Sequence, residues 1–76
     1  MWIANTKDGK KPEYYQQVKV CVKKTSGYIE TIEDEAIYVA QSDTWFAVNR
    51  LNMFQIGYEI LGWYESEEVV PKSPWE

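Results

Sequence analysis

From Gln17 to Lys24 the chain alternates apolar and polar residues without a break, as Gln17-Val18-Lys19-Val20-Cys21-Val22-Lys23-Lys24. A period of two predicts a β-strand with one buried face. Val18, Val20 and Val22 form that face, and Lys19, Cys21 and Lys23 form the other. A single strand cannot bury its valines alone, so the rest of the chain must supply partner strands.

The remaining sequence offers them in short runs. Thr25-Ser26-Gly27 reads as a turn, and Tyr28 to Ile32 is β-branched and aromatic enough for a second strand. Glu33-Asp34-Glu35 interrupts it as a bulge, a tight turn or the end of a long hairpin, and Ala36 to Ala40 resumes. Ser42-Asp43 marks a further turn before the apolar run 45–48. Residues 49–54 have no clean period and read as a loop or a single helical turn. In the last strand, Tyr58, Ile60, Gly62 and Tyr64 alternate with Glu59, Leu61 and Trp63. No amphipathic helix of ten or more residues stands out. The pattern predicts one all-β (or β-rich α+β) domain over 1–76, a small antiparallel meander or open barrel of four to five strands. Met1-Trp2-Ile3 reads as an N-terminal anchor. Residues 66–76 read as an extended acidic tail held by Pro71 and Pro74, with Trp75 as a docking residue.

A chain of 76 residues buries only about 60% of its unfolded surface, so its stability margin is thin. Cys21 has no second cysteine to pair with, which excludes an internal disulfide. One cysteine without histidine also closes the usual structural zinc site. Aromatic packing and self-association remain. Four tryptophans, six tyrosines and two phenylalanines supply the rings, each able to bury roughly 150–250 Å². No run approaches the roughly 20 apolar residues of a membrane span or forms the apolar stretch of a signal peptide, so a soluble, intracellular protein is expected.

The same composition speaks against catalysis. Histidine, the usual general base near neutral pH, is absent. The acids cluster in polar runs at 33–35 and 65–68, where solvation keeps carboxylates ordinary. Cys21 lacks a histidine partner, although Lys19 and Lys23 flank it on one strand face. The four glycines are too dispersed for a phosphate-cradling loop. No catalytic residue, cofactor or metal is expected.

Charge is divided along the chain. Residues 1–24 hold six lysines against Asp8 and Glu13, whereas residues 25–76 hold Arg50 and Lys72 against ten acids. Cross-strand pairing of Lys with Glu is the simpler expectation; a dipolar surface is the alternative. Tyr14 and Tyr15 beside the lysine-rich strand have the look of a stacking platform, but the acidic remainder would repel phosphates, so nucleic acid is not an expected partner. Tyrosine and tryptophan are enriched at the energetic centres of protein interfaces, and a core this small cannot hide all twelve rings. Trp2, Trp45 and Trp63 read first as core. The expected protein-contact residues are Tyr14, Tyr15, Tyr28, Glu33, Asp34, Glu35, Trp63 and Tyr64. The alternative is an oligomeric binder that sequesters a nucleotide signal, with bases stacked on rings and Lys19, Lys23 or Arg50 on the phosphates.

Trp2-Ile3, Pro12 ahead of the Val18/Val20/Val22 strand, Ala36 and Tyr38, Trp45, Gly62-Trp63 and Pro71-Lys72-Ser73-Pro74 follow one another in a telling order. This order resembles a family of short phage and prophage proteins with an opening W-I, a proline before a V-L-V strand, a mid-chain tryptophan and a closing W-M-x-L-P-x-P-P. The closing motif is stretched here by the residues between Trp63 and Pro71, and the strand reads Val-Cys-Val. The resemblance implies a phage-type accessory protein in the cytoplasm of a bacterial host. It carries over no catalytic residues. Combined with the exposed rings and acidic surface, it leads to the expectation of a non-enzymatic protein that binds and inhibits a host or defence protein.

Overall fold

Among the described residues the chain forms seven strands and no helix, and the alternating run is an inner strand of the larger sheet. The computed structural model describes residues 1–32, 34–48, 53–65 and 72–76. Strands β1 (Trp2–Ala4), β7 (Glu59–Tyr64), β2 (Lys19–Lys23) and β3 (Ile29–Thr31) form one antiparallel sheet in the order β1-β7-β2-β3. Strands β4 (Ala36–Val39), β5 (Thr44–Ala47) and β6 (Phe54–Gln55) form a second, in meander order. The two sheets do not close into a barrel. Two strands go beyond the expected count. The N-terminal anchor pairs as β1, and Phe54–Gln55 is too short to show a period. Among the described residues there is no helix, and so none long and apolar enough to cross a membrane.

The sheets are joined on one side by the acidic interruption. Ile32 donates its N–H to Val20, and Val18 bridges Ala36. One residue intervenes between these pairs on the β2 side and three on the other. Between Ile32 and Ala36 the chain thus passes from the larger sheet to the smaller one. Glu33 itself lies outside the described residues.

Inside, Val18, Val20 and Val22 pack with Ala36, Tyr38, Trp45, Ile60 and Trp63. Strict alternation in the last strand would put Ile60 and Trp63 on opposite faces, yet both face the core. The register explains it: Cys21 pairs with Gly62 but Val22 pairs with Ile60, so Leu61 is an extra residue. The bulge turns both large side chains inward. Asn5 secures it by donating its backbone N–H to the Leu61 carbonyl (2.9 Å) and its side-chain amide to the Ile60 carbonyl (3.0 Å).

The other face of the four-stranded sheet is covered at its centre, so that Cys21, expected on the open face of β2, is buried while Lys19 and Lys23 on either side of it are not. Cys21 is 0% exposed because the C-terminal residues 72–76 lie across it. Ser73 is buried with its Oγ 3.1 Å from Cys21 Sγ, and Thr31 donates to Glu76 at 2.9 Å. The Trp75 ring occupies the place where a Cβ on residue 62 would stand, which is why glycine is needed there. Trp75 meets Trp2 edge-on at 6.0 Å, and Trp2 meets Tyr64 at 5.5 Å. Trp2, expected in the core, is thus half-buried on the outer face. The docking expected of Trp75 is seen; residues 66–71 of the expected tail lie outside the described residues.

Candidate functional site

The long loop between β1 and β2 is held down at several points. Lys10 accepts a hydrogen bond from the Trp63 indole N–H (3.2 Å), which satisfies the polar atom of the most deeply buried ring. Pro12 is buried, and Lys11 donates to Asn5 Oδ1 at 2.6 Å and stands 5.8 Å from the Tyr38 ring centre. Beyond these anchors the chain makes a tight turn. Gln16 donates its N–H to the Glu13 carbonyl (2.9 Å), and the Gln16 side chain accepts from the Glu13 N–H (2.9 Å).

Tyr14 and Tyr15 occupy the two central positions of that turn. Tyr15 has φ = 60°, the left-handed region, at the turn position that normally selects glycine or asparagine. A bulky aromatic there is a genuine outlier. The rings meet edge to face at 4.2 Å and remain 76% and 53% exposed. The adjoining Tyr15 phenol raises the Tyr14 pKa above its ordinary value. Asp43 also has a positive φ, 50°, but there the fold uses the side chain: Tyr38 donates to it at 2.7 Å.

Beside the turn is a hollow of about 700 Å³ lined by Tyr15, Gln16, Gln17, Glu35 and Glu65. Lys10 and Glu65 form an exposed ion pair at 3.1 Å across the loop. The hollow therefore offers a phenol, two amides and two carboxylates, a set suited to polar and cationic groups of a partner.

Of the expected contact residues, the structure brings Tyr14, Tyr15 and Glu35 to this one region. Trp63 does not belong to a contact surface: it is 1% exposed, turned inward by the Leu61 bulge. Tyr64 is half-buried against Trp2. Tyr28 is exposed elsewhere, where Lys24 pairs with Glu30 at 2.7 Å between the Tyr28 and Tyr58 rings. That bond to Glu30 raises the Lys24 pKa. Asp34 lines a separate groove, and Glu33 and Arg50 lie outside the described residues. Lys19 and Lys23 stand on the outer face on either side of Cys21, the position on which Ser73 is seated. Burial, against a smaller lowering effect of the Ser73 hydrogen bond, pushes the Cys21 thiol pKa up. A covered, protonated thiol is the opposite of an activated nucleophile.

Gln16, Gln17 and Glu65 were not expected in a site. Glu65 reaches it from the end of β7, and no local pattern announces that contact. No family model, curated protein or solved structure matches this chain.

Proposed function

We propose that this protein is a non-enzymatic binding protein that captures a partner protein through the Tyr14–Tyr15 turn and the carboxylate-lined hollow beside it. The observation that carries this reading is the Tyr15 backbone. Glycine would occupy a φ of 60° at lower cost, and the core does not use the Tyr15 ring. Strain of this kind clusters at functional sites, and rigid exposed tyrosines contribute contact area at little entropic cost. The Glu35 carboxylate in the hollow favours a basic group on the partner's surface, Glu65 being already paired with Lys10. The resemblance to phage and prophage proteins extends the proposal: the partner is a host or defence protein of a bacterium, and binding inhibits it.

The test is co-purification from bacterial lysate with the wild-type chain and with a Tyr14→Ala/Tyr15→Ala variant, read by mass spectrometry. A partner held by the wild type and lost from an equally folded variant is expected. A partner recovered equally by both would remove the tyrosine turn from the account.

A further inference from the structure

The hollow beside the Tyr14–Tyr15 turn is built on the junction of the two sheets. Val18 and Ala36 exchange both backbone hydrogen bonds there, at 2.8 and 2.7 Å. Gln17 and Glu35 are the residues just before them, so both reach the hollow from beside paired backbone. The Glu35 carbonyl is held as well, by the Val48 N–H at 2.8 Å. At about 700 Å³ the hollow lies within the roughly 300–1,000 Å³ of small-ligand sites, far more than one ammonium group fills.

What its walls can still donate or accept narrows the occupant. Gln16 uses its side-chain oxygen on the Glu13 N–H, and Glu65 is paired with Lys10. Neither the Glu35 carboxylate nor the Gln17 side-chain amide has a hydrogen-bond or ionic partner among the described residues. Glu35 is half-buried, so its charge is screened less than that of an acid in open water. Among the described lining residues there is no lysine or arginine, and Tyr15 is the one ring. The unmet needs are a positive charge with hydrogen-bond donors at Glu35, a donor for the Gln17 oxygen and a flat group against Tyr15.

We infer that the hollow takes an arginine side chain of the partner, in preference to a lysine. This deepens the proposed capture at the turn and rests on it. The guanidinium donates two N–H groups to Glu35 and a further one to Gln17, and its plane stacks on the Tyr15 ring. Arginine is suited to this by its rigid fork of five donors, its weaker hydration and its flat face. A cation within about 6 Å of a tyrosine ring gains further, and the turn holds that ring in place before any partner arrives. Lysine brings a compact, strongly hydrated charge that a carboxylate in open water satisfies equally well, as Lys10 shows at Glu65, where both side chains remain exposed.

The test is an NMR titration of the full, isotopically labelled chain with three capped tripeptides, Gly-Arg-Gly, Gly-Lys-Gly and Gly-citrulline-Gly, the last a neutral relative of the first. The arginine peptide is expected to shift the Tyr15, Gln17 and Glu35 amides and to saturate with a Kd on the order of 1 mM. The lysine peptide is expected to bind about tenfold more weakly, and the citrulline peptide to leave the three amides in place. Glu35→Gln is expected to keep the folded spectrum and lose about tenfold for arginine. Tyr15→Gly is expected to bring the arginine and lysine peptides within about threefold of each other. An arginine response in the wild type alongside tyrosine-independent capture of the partner would remove the proposed function and keep the arginine site. Three outcomes overturn the inference while leaving tyrosine-dependent capture standing: no saturable shift with arginine, equal binding of arginine and lysine by the wild type, or full arginine binding by Glu35→Gln.

Discussion

The two core tryptophans, Trp45 and Trp63, and the turn tyrosines are all large rings, and the fold treats the two pairs in opposite ways. Trp63 and Trp45 are placed inward by strand register, and the Trp63 N–H is satisfied by the Lys10 carbonyl. Tyr14 and Tyr15 are placed outward by a turn that spends backbone strain on them. What separates core from surface here is therefore the local backbone, a bulge in one case and a left-handed turn residue in the other. Residue type alone does not decide it.

The strongest way to break that comparison is to remove the inward ring. Trp63→Ala is expected to cost about 3–5 kcal/mol, enough to leave a domain this small largely unfolded in circular dichroism. A cooperative wild-type-like melt would show that the bulge does not organise the core. Next in size is the outer face. Gly62→Ala sets a Cβ against the Trp75 ring and the Ile3 carbonyl, with an expected loss of about 1–3 kcal/mol in urea denaturation. Trp75→Ala removes the cover and is expected to speed the reaction of Cys21 with a thiol reagent under native conditions. Unchanged labelling would mean that residues 72–76 do not shield the thiol.

A smaller effect follows from protonation. Both Cys21 and Tyr38 have pKa values above their ordinary 9.0 and 10.0, Cys21 chiefly through burial and Tyr38 through the bond it donates to Asp43. Each is protonated in the fold while its unfolded counterpart ionises first as pH rises. The unfolded chain then binds fewer protons, so stability falls with increasing pH. A plateau up to about pH 8 and a decline from about pH 9 are expected in urea melts. Cys21→Ala is expected to remove the earlier part of the decline; stability that rises above pH 9 would contradict the assignment.

Much of this frame was legible in the sequence, for reasons particular to each element. Val18, Val20 and Val22 declared their face because β2 is regular along its length, and the interruption at 33–35 declared a break though not which kind. Cys21 looked half-wet because the residues that cover it come 52 positions later in a segment with no period of its own. The Leu61 bulge was hidden because a single extra residue leaves the apolar run looking continuous. β6 was hidden because two residues cannot show alternation. The candidate site divides in the same way. Tyr14 and Tyr15 stood out as rings beside a polar loop, but their turn has no glycine or asparagine to signal it, so the strain at Tyr15 was invisible. Gln16, Gln17 and Glu65 join the hollow only through tertiary contact.

The most direct measurement is Tyr15→Gly, followed by both chemical denaturation and quantitative partner capture. If the turn holds a strained ring for contact, glycine relaxes the backbone: stability should stay level or rise by up to about 1 kcal/mol, while capture drops at least about tenfold. A variant that loses stability and keeps its partner would contradict the account, because Tyr15 would then serve the fold and not the interface.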